Sequence, residues 1–376
     1  MKVLVNAVSV REGGPLVVLQ KLLAGMLNEG AHTWIVASGA PSSCMPSSDG
    51  IISIDARVAQ NDPLRLLRWY EIGLPRANER WKPDVVFSMT NYLPIRSLQP
   101  PTVLLEQHAG HFSREFESLT LSAARSVSER LSWHYKSAWV RRSVRAADLL
   151  LVQTASLADR IKALGLRKDR IFVVPHGPGN VSYGSPRSVF PGQAGTWRLG
   201  YISKFGVQKD FDVLFRAAKA LSRRMNIKLV LTLDPANAST ARVLCSAQDL
   251  GVSNLIENHG ETRGEHIMHL YDSLDIMVFC STCESFGFPM VEAMARGIPI
   301  VVADTPENRE ITATASLRFR PHDESGLTDQ LMRIMMEEAE FRRRSETSLV
   351  RGHAFSWTRA CKDTLSVLDQ AAGGAR

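Results

Sequence analysis

Two carboxylates, Glu284 and Glu292, flank a turn and a helix start in the stretch CESFGFPMVEAMARGIPIVV. Ser285-Phe286-Gly287 cannot continue a strand, Pro289 suits a first helical turn, and Gly297 supplies the usual helical stop. The N–H groups of that first turn, together with the partial positive charge of the helix end, make a seat for an anion between the carboxylates. The loop Lys204-Phe205-Gly206-Val207-Gln208-Lys209 also precedes a helix, and its two lysines could neutralise a diphosphate as flexible point charges. Lysines are common on surfaces, but this location, in the half that holds the anion seat, favours the binding role. Gly13-Gly14 lies between a strand and a helix and lets backbone approach a ligand, although a plain tight turn has the same sequence. It has neither the GxGxxG spacing of a dinucleotide site nor the ending of a P-loop. His108 and His111 sit in a loop after a strand; with no third ligand at a recognisable spacing they do not make a metal site. Histidines in such loops often serve chemistry, so His108 is read as a ligand-binding residue and His111 as an ordinary loop histidine.

For these residues to meet, strands must end where they begin. Apolar, β-prone runs at 3–5, 33–37, 51–54, 85–88, 102–106, 149–153 and 171–174 alternate with helical patterns at 16–27, 63–80, 117–147 and 156–164. A second series of strands, at 198–203, 228–233, 255–257, 275–280 and 298–302, alternates with helices at 211–223, 238–250, 265–273 and 289–296. Such alternation predicts α/β units with parallel sheets covered on both faces. On this pattern Glu284 ends a strand and Glu292 lies inside a helix. The stretch 181–196 is rich in Gly, Pro and Ser and reads as a linker between domains 1–180 and 197–357. Amphipathic helices at 324–349 and 358–371 close the chain.

A length of 376 residues suits two domains, and a hydrophobic content of 44% excludes disorder. No apolar run approaches the roughly 20 residues of a membrane span. The start, MKVLVNAVSV, has no small-residue cleavage site and reads as the first strand of a cytoplasmic protein. Five scattered cysteines do not make a disulfide framework, and the single CxxC pair, Cys280 and Cys283, reads as two buried or half-buried thiols. The net charge of +7 favours a polyanionic partner: nucleotide, nucleic acid or an anionic membrane surface. Between Glu117 and Ala147, arginines and lysines interleave with Trp133, Tyr135 and Trp139, which suits anionic lipid or a lipid-linked acceptor. Ordinary domain packing explains the same pattern, and no nucleic-acid module accompanies it.

These segments together resemble the retaining GT-B glycosyltransferases of the large family four. The resemblance covers most of the chain: Gly13-Gly14-Pro15, the strand end with His108, VVPHG, KFGVQK, LYDSLDIMVFCSTCESFGFPMVEAMARGIPIVVAD and the site near Glu310. It implies two doubly wound Rossmann-like domains facing each other across a cleft, with the final helix, 358–376, crossing back to the first domain. It also implies roles. Glu292 would bind the ribose of a nucleotide sugar and Glu284 the hydroxyls of the transferred sugar, while the turn Ser285-Phe286-Gly287 meets sugar and phosphates. Lys204 and Lys209 would stabilise the departing diphosphate, Gly13 and Gly14 would let the first domain approach it, and His108 would lie near the sugar. With charge met by fixed cations and helix dipoles, neither a metal nor any other cofactor is expected. The family commonly has arginine at the position of Lys204, glycine at Asp210 and asparagine at His176.

The function expected is that of a cytoplasmic, metal-independent, retaining glycosyltransferase, peripheral on the inner face of the cytoplasmic membrane. It would move a hexose from a nucleotide diphosphate sugar to a glycan or lipid-linked acceptor in bacterial surface polysaccharide assembly, such as O-antigen, lipopolysaccharide or exopolysaccharide. Two other classes stay in view: a non-catalytic nucleotide-sugar or glycan-binding protein, and a nucleotide-sugar epimerase.

Overall fold

Valine, isoleucine and leucine fill the central strands, as parallel strands buried on both faces require. The computed structural model describes residues 1–376 except 30, 31, 42, 43, 47, 49, 61, 167, 263, 264 and 374–376. The chain divides into two units, Met1–Gly177 with the chain from Ser356 onward, and Pro178–Phe355.

In the first unit β1 (Lys2–Ala7), β2 (Thr33–Ser38), β3 (Ile51–Asp55), β4 (Val85–Ser88), β5 (Thr102–Leu105), β6 (Leu149–Val152) and β7 (Ile171–Val173) form one parallel sheet in the order β3-β2-β1-β4-β5-β6-β7. The second unit holds β8 (Thr196–Tyr201), β9 (Asn226–Leu231), β10 (Ile256–Asn258), β11 (Ile276–Phe279), β12 (Ile300–Ala303) and β13 (Ser316–Phe319), parallel in the order β10-β9-β8-β11-β12-β13. The order reverses between β1 and β4 in one sheet and between β8 and β11 in the other. Crevices outside the carboxyl ends of strands at such reversals are where doubly wound sheets bind ligands.

β13 is absent from the sequence expectation. Its four residues include Arg318, and only an edge position leaves such a side chain exposed. The helical pattern at 117–147 is two helices, Arg114–Ala123 and Val127–Ala146, broken where Ser126 caps the second through the N–H of Glu129. The pattern at 324–349 likewise splits into Glu324–Met336 and Glu338–Gly352. Between Pro63 and Trp81 a wider turn at Trp69–Gly73 interrupts the helix. β11 stops at Phe279, so Glu284 belongs to the loop beyond it rather than to a strand end.

The stretch 181–196 is irregular, yet it is not a loose tether. Val181 belongs to the core of the second unit, Phe190 packs against that core, and Arg187 reaches the carbonyls of Tyr271 and Asp272 at 2.7 and 3.1 Å. Composition predicted poor packing; a few anchoring side chains suffice to hold such a segment. The final helix, Trp357–Gly373, lies in the first unit against the helix Gly13–Met26, where Gly25 leaves room for the Cys361 sulfur.

Candidate active site

In the second unit the loops at the β8/β11 reversal carry most of the candidate side chains. The loop after β8 carries Lys204 and Lys209, and the loop after β11 carries Glu284 to Gly287. The two loops are tied together: Lys209 and Ser281 form an antiparallel bridge, and the Thr282 N–H donates to the Gln208 carbonyl at 3.0 Å. This pairing delivers the Lys209 ammonium to Glu284 Oε1, with both side chains nearly buried at 10% and 13% exposure. The ammonium also sits 4.6 Å from the centre of the Phe279 ring, a cation–π contact strengthened by burial.

Lys204 stands apart from this pair. Half exposed, it forms an ion pair with Glu261, from the loop after β10, rather than with either of the two paired groups. Asp210, where the family commonly has glycine, caps the helix Phe211–Leu221 by accepting the Val213 N–H at 3.1 Å and meets His322 Nδ1 at 2.5 Å.

The turn Ser285-Phe286-Gly287 leads into the helix Phe288–Ala295. Gly287 has φ +79°, and a side chain there would strike Met290, so glycine is required at this point. At the other end Gly297 at φ +65° and Ile298 donate to the carbonyls of Met294 and Ala293, closing the helix with a paired C-terminal cap. Phe286 is buried against Phe288 and Phe355. Both cysteines of the CxxC pair are buried thiols, and burial pushes Cys280 well above its ordinary value.

Glu292 lies inside that helix with both carboxylate oxygens engaged. Oε1 accepts the Asn180 N–H at 3.1 Å and Oε2 accepts the Tyr271 hydroxyl at 2.7 Å. Burial raises its carboxyl above the ordinary value, opposed by these two hydrogen bonds. Sequence reasoning missed Tyr271, Asn180, Phe279 and Glu261. No spacing joins Tyr271 to Glu292 across 21 positions; only the packing of two helices does.

In the first unit, Gly13 has φ +66° and starts the helix Gly13–Met26 just after β1, beside the β1/β4 reversal, with Gly14 following it in the first turn. His108 lies one strand further on, after β5. Its ring packs 4.6 Å from that of His111 and edge-on to Phe116 at 5.3 Å, and His111 stacks on Trp133 at 4.8 Å. Burial lowers His111 to about 3, so it is a neutral packing group at physiological pH. His176 is buried, lowered to about 3 by burial, and stacked on Trp357 at 5.3 Å. The structure thus brings Lys209, Glu284 and the turn 285–287 together in one unit, sets Lys204 on another partner, and carries Gly13, Gly14 and His108 in the other unit.

Residues 12–177 match the family model of Glycosyltransferase Family 4, and residues 190–348 match that of Glycosyl transferases group 1. The chain is similar to the MMP alpha-(1->4)-mannosyltransferase of Mycolicibacterium hassiacum, at 26% identity over 75% of this chain and 68% of that protein. It is similar to the D-inositol 3-phosphate glycosyltransferase of Nocardia farcinica at 25% identity over 59% of this chain and 52% of that protein. It also matches the O-antigen chain mannosyltransferase B of Escherichia coli, at 23% over 44% of each chain. The chain therefore spans between under half and about two thirds of the length of these relatives. Among solved structures, the sucrose-phosphate synthase of Thermosynechococcus elongatus superposes over the whole of both chains with a TM-score of 0.77 at 15% identity. The Anabaena protein Alr3699/HepE, in complex with UDP and glucose, superposes with a TM-score of 0.71 at 16% identity over 98% of this chain and all of its own. At these identities the likeness is one of fold, and the fold is GT-B.

Proposed function

The chain belongs to the glycosyltransferases, its first half to Glycosyltransferase Family 4 and its second to Glycosyl transferases group 1, and on that premise we propose that it moves a hexose from a nucleoside diphosphate sugar to a glycan or lipid-linked acceptor with retention of anomeric configuration. The observation that carries this reading is the nearly buried Lys209–Glu284 pair at the β8/β11 reversal, beside the start of the helix Phe288–Ala295. A diphosphate entering there competes with Glu284 for the ammonium. Lys209 and the helix end then meet the charge that grows on the leaving group, and Glu284 is released toward hydroxyls of the transferred sugar. Glu292 holds the ribose. The anomeric carbon–phosphate oxygen bond breaks, the bond to the acceptor oxygen forms on the same face, and the acceptor proton passes to the departing phosphate. The family resemblance assigns His108 to the sugar, and Lys204 adds to the field by leaving Glu261. These fixed charges take the part that a metal would otherwise play.

The names of two relatives favour a mannosyl donor, and that of the O-antigen chain mannosyltransferase favours an acceptor in surface polysaccharide. Calorimetry with UDP-glucose, GDP-mannose and ADP-glucose, followed by a hydrolysis assay, tests the reading. One donor is expected to bind and to be hydrolysed slowly without acceptor. Binding without any turnover, with or without added acceptor, would instead favour the non-catalytic alternative, and binding of none would sink both.

Contact with the inner face of the membrane is a second part of the proposal. No helix among the described residues is long and apolar enough to cross a bilayer. On the helix Val127–Ala146, however, Val127, Leu131 and Tyr135 are 73%, 63% and 56% exposed at a spacing of four, so they form one apolar stripe. Arg125, Arg130 and Lys136 are exposed beside it. Such a face suits anionic head groups with apolar side chains dipping beneath them. Flotation with phosphatidylglycerol vesicles is expected to recover the protein at low salt, less at high salt, and less for Leu131→Glu. Equal recovery with neutral vesicles would count against it.

A further inference from the structure

Glu106 follows β5 directly and is fully buried. Its Oε1 accepts the His108 N–H at 2.9 Å, while Oε2 is buried without a hydrogen-bond partner among the described residues. The loop it serves is closely held. The Glu106 N–H donates to the Leu151 carbonyl at 3.0 Å, and the Gln107 N–H donates to Asn91 Oδ1 at 2.8 Å. A side chain on Gly110 would lie 2.6 Å from Phe116 and 2.7 Å from the His108 ring, so the imidazole has little room to turn. We propose that Glu106 is a positioning residue for His108: by accepting its N–H, the carboxyl fixes the loop that carries the imidazole at the carboxyl end of β5. This rests on the reading that places His108 near the transferred sugar.

The chemistry of the surroundings gives Glu106 a signature that a packing residue lacks. Burial pushes its carboxyl from 4.5 up to about 8, against the N–H groups of His108 and Gln107. Tyr92, from the segment after β4, is raised by burial and by Glu106 among others; His111 is lowered to about 3. Tyr70 near Tyr92 is raised to about 12, and the helix Val127–Ala146 brings Tyr135 toward Tyr92 and Lys136 and Arg141 toward His111. The charge of Glu106 itself changes near pH 8. Below that it is an uncharged acid that accepts the His108 N–H. Above it, a buried carboxylate forms whose burial cost the N–H groups of His108 and Gln107 offset only in part, and opening toward water, which frees the loop, supplies the rest. For stability, the folded chain keeps a proton that the unfolded chain releases near 4.5, so stability falls as pH rises from about 4.5 to about 8 and then levels.

Steady-state hydrolysis between pH 6 and 10, using whichever of UDP-glucose, GDP-mannose and ADP-glucose turns over, tests the proposal on the wild type, Glu106→Gln, Glu106→Ala and His108→Ala. Wild-type kcat is expected to fall about tenfold per pH unit above about 8. Glu106→Gln, whose amide oxygen can still accept the His108 N–H, is expected to stay within about threefold of wild type at neutral pH and to lack the alkaline fall. Glu106→Ala is expected to lose at least about tenfold in kcat with donor KM nearly constant. An unchanged alkaline fall in Glu106→Gln would overturn the proposal, as would wild-type kcat in a folded Glu106→Ala. Should the alanine variant not fold, the glutamine variant carries the test alone. Wild-type kcat in His108→Ala would remove the reading of His108 itself, and the proposal with it.

Discussion

Lys209→Ala is expected to lower kcat by about a hundredfold to a thousandfold, the range seen when one preorganised donor to a developing anion is removed. The magnitude follows from where the ammonium lies. At 10% exposure, against the face of Phe279, its field is little weakened by water, and nothing mobile can replace it on the timescale of bond breaking. The same substitution strands Glu284, nearly buried, without its partner. Breaking such a pair from one side costs about 3–5 kcal/mol of stability, so activity loss alone would not distinguish catalysis from unfolding. The double variant Lys209→Met with Glu284→Gln separates the two. It removes both charges at similar volume and should recover most of the stability, measured by urea denaturation, while transfer stays low. Full transfer by Lys209→Ala would show that the site lies elsewhere.

Glu292→Ala is expected to raise donor KM by about tenfold to a hundredfold with a smaller change in kcat, since hydrogen bonds to a charged group contribute about 1.5–3 kcal/mol each and ribose is remote from the bond that breaks. Tyr271→Phe should move KM in the same direction by less, because the Tyr271 hydroxyl at 2.7 Å orients the carboxylate. The pH dependence has a definite sign. Burial raises the Glu292 carboxyl, so the folded chain holds its proton to higher pH than the unfolded chain does, and stability declines as pH rises from the ordinary 4.5 through the raised value. Donor affinity runs the other way: the ionised carboxylate is the better acceptor of ribose hydroxyls, so KM rises as pH falls through that value. Glu292→Gln should flatten this acid-side rise. A donor KM in Glu292→Ala equal to wild type would remove the ribose role.

Much of this was legible in residue order. Strand, turn and helix alternate strictly enough to give both sheets, because a parallel strand covered on both faces must be apolar throughout and its return helix must be amphipathic. The breaks were harder. One helix stops at Ala123, and two residues past its end cap Ser126 caps the next with a single hydroxyl, too small a signal inside a long helical pattern. β13 escaped because an edge strand tolerates Arg318, which a central strand would exclude.

The sequence by itself determined the α/β class, the turn and helix start around Pro289, Glu292 inside that helix, and the two lysines on the loop after β8. It did so through local rules that act over a few residues: periodicity, proline and glycine geometry, and caps. Only the tertiary structure decided how those charges are paired. Lys209 meets Glu284 because β8 and β11 are neighbours at the reversal of strand order, while Lys204, five positions earlier on the same loop, turns to Glu261 after β10. Glu292 meets Tyr271 and Asn180, and Glu106 holds His108, by packing rather than by spacing. Electrostatic partnership depends on distance in space and on the water excluded there, and neither is written in the separation of two residues along the chain.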